Sequence, residues 1–162
     1  MMPHCLAGRG ILLALVLLLL PLTVVADCRD STEALESMQQ RDVTFRGAGN
    51  VEIDVRLRIA GTAEQRAAGM QFLCESSVRD NPILFVFNRP IQHAFHMQNV
   101  HVALDILFLD EEGVVRSILR MTPGSDLYTP DHRFRYALEL LAGDAERLGL
   151  RPGMQLDPRP AE

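Results

Sequence analysis

The sequence predicts a mainly β domain, a small β-sandwich or open barrel carrying two short helices. Three observations predict it. First, Val51, Ile53, Val55, Leu57 and Ile59 alternate with Glu52, Asp54, Arg56 and Arg58, the period of a strand with one buried and one wet face. Second, residues 83–87 and 104–109 are short apolar runs, of strand rather than helix length and suited to burial on both faces. Third, turn-forming clusters at residues 47–50, 88–90 and 110–113 punctuate the chain at hairpin spacing.

The elements follow in order. Asp30-Ser31-Thr32-Glu33 has the form of a capping box, with Leu35 and Met38 behind it, so residues 27–42 read as a short helix or a loose tether. Val43-Thr44-Phe45 is a strand, and the 51–59 strand follows the Gly-Ala-Gly-Asn turn. Thr62-Ala63-Glu64-Gln65 is a second capping box, opening a helix that Gly69 ends. A polar loop is expected through Asn81-Pro82, then the 83–87 strand, an extended stretch over 93–99 and the 104–109 strand. Asp110-Glu111-Glu112-Gly113 turns the chain into a strand over 114–119. Residues 121–133, with Pro123, Gly124 and Pro130, form a long loop. A strand over 136–141, a short helix over 144–148 closed by Gly149, and a last strand over 154–156 complete the domain, whose expected bounds are 43–158.

Ahead of the domain lies a leader. Nineteen of the first 26 residues are apolar, and Arg9 is the sole charged side chain before an apolar run over 11–26. Val24-Val25-Ala26 places small residues at its end, the pattern of a cleaved signal peptide over 1–26. The run is shorter than the roughly 20 residues a spanning helix needs, so no stable membrane span is expected after cleavage. Asp27 before Cys28 argues against lipidation. The expected location is periplasmic or secreted. Cys5 leaves with the leader, and Cys28 and Cys74 remain. In an oxidising compartment they could close one disulfide; two separated free thiols are the other outcome.

Composition narrows function. The 162-residue chain is 48% hydrophobic with a formal charge of −5, which speaks against a broad nucleic-acid-binding surface. All 16 basic residues are Arg, so a Schiff-base lysine and a P-loop lysine are excluded. No GxSxG, HExxH or Rossmann pattern occurs, and no cofactor is expected.

Four segments carry a family resemblance: "GTAEQRAAGMQFL", "ILFVF", "AFHMQNVHVALDILFLDEEGVV" and "YALELLAGDAERLGLRPGMQL". In this order the chain resembles the bacterial and archaeal domain of unknown function 192. Where that family usually has Trp, Thr and Gly-Met, this chain has His96, Val100 and Pro82-Ile83. The resemblance implies a small β-sandwich with helical decoration and implies no activity.

The ligand-pocket candidates are Met70, Met97, Asn99, Asp105 and His96. Asp105 is a lone carboxylate inside an apolar strand, and a buried charge costs several kcal/mol unless paired or hydrogen-bonded. It therefore belongs either to a pocket lip or to a satisfied polar cluster that Asn99 could complete. Met70, Met97, Asn99 and Asp105 are expected to lie near one another, the Met side chains as an apolar wall. The expected role is non-enzymatic binding of an unknown small molecule or envelope component. One alternative is a hydrolase using Asp105 with His96 or His132. Another is a copper-binding periplasmic protein using His93, Met97 and His101. An i, i+4 spacing in a strand separates side chains by roughly 13 Å, so no metal site is expected.

Overall fold

The computed structural model describes residues 28–158; the leader over 1–26 lies outside them. The nine residues that alternate become part of β2 (Val51–Ala60), which pairs antiparallel with β1 (Gln39–Gly47) across the predicted turn. Residue Asn50 takes a positive φ of 60° there, a conformation that Asn accepts more readily than most residues.

Between β2 and β3 (Ile83–Ile91) the chain runs through α2 (Ala63–Ala68) and α3 (Glu75–Asp80). This crossover makes β2 and β3 parallel, because a return in the same direction needs a connection of about a dozen residues or more. The remaining elements are β4 (Phe95–His96), β5 (Leu104–Leu109), β6 (Val115–Met121), β7 (Leu127–Tyr128), β8 (Phe134–Leu141), α4 (Asp144–Leu148) and β9 (Gln155–Asp157). Seven strands form one mixed sheet in the order β6-β5-β8-β3-β2-β1-β9, and β4 and β7 form a separate pair. The two edges approach at one end. Val114 bridges Gln155, Val115 N–H donates to the Met154 carbonyl at 2.8 Å, and Leu156 N–H donates to the Gly113 carbonyl at 2.9 Å. The sheet is thus an open barrel with its last seam joined only there.

Two apolar layers result. The inner one draws on all seven strands, with Phe45, Leu57, Leu84, Leu107, Leu138 and Leu156 among its buried members. The outer one covers the other face of β3, β5 and β8 with helices and loops, and includes Leu35, Met70, Val78, Phe85, Met97 and Phe134. Burial on both sides explains why β5 and most of β8 are apolar nearly throughout.

Four short helices are present among the described residues, two more than expected. Thr32 caps α1 (Glu33–Ser37) through its side chain, which accepts from Leu35 N–H. Leu35 and Met38 are then buried in the outer layer, so the segment read as a tether is packed into the fold. Helix α3 falls where a polar loop was expected. It has no side-chain cap and buries only Ser77 and Val78, too few apolar positions for a helical period to show. The predicted turn at 88–90 is instead the continuation of β3, whose pairing with β8 jumps from Val86–Tyr136 to Ile91–Phe134 across an irregularity.

Candidate functional site

Glu139 is the buried carboxylate that the sequence reading passed over. It lies on β8 between Ile83 of β3 and Ile106 of β5, facing the outer layer, and is 4% exposed. It makes no hydrogen bond or ion pair with another described residue. Its carboxylate instead lines a pit of about 40 Å³ together with Gly69, Met70, Phe85, His96 and Val100. Burial pushes the Glu139 carboxyl up to about 8, because the charged form loses its hydration without gaining a partner.

The pit's roof is the segment that leaves α2. The Thr62 capping box starts that helix, with Gln65 reaching back to the cap. Gly69 ends it at φ 47°, ψ −136°, a conformation open to glycine and costly for other residues. A Cβ there would meet Phe85 at 3.4 Å and Glu139 Oε2 at 3.8 Å, ordinary contact distances, so the requirement for glycine is conformational. Phe72 follows with φ 64°, an outlier for a bulky side chain. Asn99 is likewise at φ 58°. Its carbonyl accepts from Phe72 N–H at 2.7 Å and its Nδ2 donates to Gln71 Oε1 at 2.9 Å. Strain of this kind persists only where surrounding contacts over-determine it, and it clusters at functional sites.

Those contacts include the amino-terminal strand of chain. Cys28 and Cys74 form a disulfide, with Cα atoms 4.8 Å apart. Arg29 N–H donates to the Phe72 carbonyl at 2.7 Å, and Cys74 N–H to the Arg29 carbonyl at 2.9 Å. The Arg29 guanidinium sits over the Phe72 ring. On the other side of this segment lies an open groove of about 440 Å³, lined by Arg29, Glu33, Glu64 and Phe72 and sharing Ala68 and Gln71 with the pit.

The sequence-predicted residues divide. Met70 and Met97 are both buried in the outer layer, Asn99 braces the roof, and His96 lines the pit. Asp105 is not with them. Its neighbours Leu104 and Ile106 point to the outer layer, so Asp105 points to the inner face with Leu107. There Oδ1 accepts from Arg120 Nε at 2.5 Å, and Oδ2 accepts from Gly143 N–H at 2.7 Å and Ala145 N–H at 3.3 Å. It is a satisfied cluster at the start of α4, and the expected grouping of all four residues fails at this point. The cause is local: the chain turns at Asn99 and reaches β5 with Leu104 on the outer face, so its successor must point inward.

The histidines of the alternatives are also placed. His132 Nε2 lies 2.9 Å from Ser117 Oγ, and its Nδ1 lies 3.1 Å from the Arg133 carbonyl. It pairs with a hydroxyl rather than with Asp105. His93 and His101 are exposed. Among the described residues, no group of three or more His, Cys, Asp or Glu side chains is arranged to hold a metal ion. The signal that could have found Glu139 was present: a lone carboxylate within the apolar run Ala137-Leu138-Glu139-Leu140-Leu141, the same pattern that drew attention to Asp105.

This framework of mixed sheet, helical crossover and β8 glutamate lies within residues 43–158, which match the family model DUF192, described as "Uncharacterized ACR". The chain belongs to the DUF192 family. Among solved structures, it is similar to one from Sinorhizobium meliloti 1021, described as "a putative transcription regulator", at 28% identity and a TM-score of 0.69, covering 75% of this chain and 95% of that one. It is also similar in fold to a protein of unknown function from Novosphingobium aromaticivorans DSM 12444, at 24% identity and a TM-score of 0.62, covering 78% and 98% respectively. A search of curated proteins found no match. Of the chain's three buried carboxylates among the described residues, Asp105 and Asp144 are paired with arginines and Glu139 is not.

Proposed function

We propose that this DUF192 chain is an exported, non-enzymatic binding protein whose ligand enters the pit at Glu139. The observation that carries the reading is the Glu139 carboxylate, deeply buried, without a partner in the chain and facing a space that can admit a small group. The Glu139 oxygens are not among the sealed polar atoms of the described residues, so they open onto the pit, where a bound group can reach them. The positive φ of Phe72, an outlier for a bulky side chain in the roof, supports the same location. Export rests on the leader's charge and hydropathy pattern and on a disulfide of the kind that persists in oxidising compartments. Catalysis by Asp105 finds no support, because its oxygens are already engaged by Arg120 and two backbone N–H groups.

Native mass spectrometry of the protein recovered from the periplasm tests both parts. The expected result is a chain beginning at Asp27 that carries an additional small mass, with that mass missing from the Glu139→Leu variant. A chain that retains Met1 overturns export. A bound mass unaffected by the substitution overturns the pit as its site.

A further inference from the structure

We propose that the pit accepts a primary ammonium group, with the Glu139 carboxylate as its counter-ion. The inference rests on the reading that the pit is the ligand site, and it names the chemistry that site selects.

The argument begins with what surrounds Glu139. Its strand neighbours Ile83 and Ile106 are apolar. From α2, Arg66 lines the pit, but its Nη1 donates to the Gly61 and Val86 carbonyls and its guanidinium lies over the Phe87 ring. From α3, Arg79 is engaged by Glu75 and approached by Asp144. From β4, His96 lines the pit and its Nδ1 accepts from Gln98 N–H at 3.3 Å. Arg66 therefore keeps its charge in the lining, but its guanidinium is held by carbonyls and a ring and makes no hydrogen bond to Glu139. The chain contains no lysine, so no side-chain ammonium of its own can pair with Glu139.

A complementary cation must be small. The pit is small, about 40 Å³, enough to admit a compact head group such as –NH₃⁺. An ammonium can donate three hydrogen bonds and needs only acceptors, and Glu139 supplies two oxygens. The neighbouring groove adds Glu33 and Glu64 to the lining, while its Arg29 is stacked on Phe72. An anion would meet acidic groups at both places. A neutral amide would hydrogen-bond the protonated carboxyl and leave its proton in place, whereas a cation must displace that proton, so proton release separates the two.

Binding of a cation requires the ionised carboxylate, so it displaces the proton that Glu139 holds at neutral pH. Affinity should rise with pH, roughly tenfold per unit below the carboxyl's raised value of about 8, and level off above it while the amine remains charged.

Calorimetric titration of the purified protein with n-propylammonium, in buffers of different ionisation enthalpy, is the test. The expected result is saturable binding that tightens between pH 6 and 8, with close to one proton released per ligand at pH 6.5. The Glu139→Gln variant should bind roughly 30-fold more weakly or worse. Shifts in the methyl signals of Met70 and Val100, both of which line the pit, locate the ligand in the unsubstituted protein even if that variant fails to fold. Nα-acetyl-lysine methylamide separates the sources: tighter binding than propylammonium points to a lysine side chain, weaker binding to a free amine. Glu139-dependent binding of propionamide in place of propylammonium, without proton release, overturns the ammonium assignment and leaves the pit as the site. Absence of Glu139-dependent binding and of methyl shifts with both probes overturns the two together.

Discussion

Asp105 and Glu139 lie on adjacent strands, one step apart in the β5–β8 ladder, and point to opposite faces of the same sheet. Both are buried, at 3% and 4% exposure. The inner face offers Asp105 a guanidinium and two backbone N–H groups at the start of α4. The outer face offers Glu139 apolar strand neighbours and a pit. The difference follows from how each layer is built. Strand pairing closes the inner layer and fixes its polar groups opposite partners. The outer layer is closed by α1, α2, the 69–73 segment and the β4–β7 pair, pieces with little regular structure of their own. Such coverings tolerate a gap, a strained residue and an unpaired acid, and binding sites are commonly drawn from such regions.

The contrast can be broken most strongly through pH. Glu139 has a folded-state value of about 8 against an unfolded reference of 4.5. The folded protein therefore binds more protons than the unfolded chain between those values. Its stability contribution is complete below about 4.5 and is lost as pH rises through 8, at about 1.4 kcal/mol per pH unit and on the order of 4–5 kcal/mol in all. Urea unfolding from pH 4.5 to 8.5 should show this decline, and Glu139→Gln should flatten it. An unchanged slope in that variant would mean that Glu139 is hydrated in solution.

The outer layer can next be loosened at its tie to the amino-terminal segment. Replacing Cys28 and Cys74 by Ser opens a loop of sequence separation 46, and chain-entropy reasoning predicts a loss of ~3–4 kcal/mol. Hydrogen exchange should report the loss first at Phe72 and Cys74 N–H, while amides of β5 and β8 stay protected until global unfolding. Uniform loss of protection would show that the two layers do not open separately.

A smaller effect probes the satisfied acid. Asp105→Ala leaves Gly143 and Ala145 N–H without their acceptor and should destabilise by ~2–3 kcal/mol, measured by thermal unfolding. Propylammonium binding at Glu139 should persist, because the two carboxylates serve different faces. Gly69→Ala should cost the least, ~1–2 kcal/mol for the positive φ. That methyl group would also sit beside Glu139 Oε2, so ligand affinity should fall by more than the stability change accounts for.

Much of the fold was readable because its signals are local. The alternation over 51–59 became β2, the 104–109 run became a strand buried on both faces, and the Thr62 capping box and Gly69 bound α2. Helix α3 was not readable, since two buried residues and no cap leave no period. Of the residues named from the sequence, Met70 and Met97 are buried in the outer layer, and Met70 and His96 line the pit. The sheet order was beyond local reading: β3 lies between β2 and β8, and β9 returns to pair with β1, contacts set by long-range pairing that adjacent residues do not encode.

The sequence by itself placed Asp105 and Glu139 each as a single carboxylate within an apolar run, and only Asp105 was singled out, with a pocket lip and a satisfied cluster both open to it. It also determined the backbone freedom at Gly69 that ends α2. Only the tertiary structure decided which acid would be answered. That outcome depends on whether a donor from a distant part of the chain arrives at the same place, and the strand pairing brings Arg120 and the start of α4 to Asp105 and brings Glu139 none. Burial is a property of a residue and its immediate neighbours along the strand. Satisfaction is a property of a pair, and the second member is chosen by the fold.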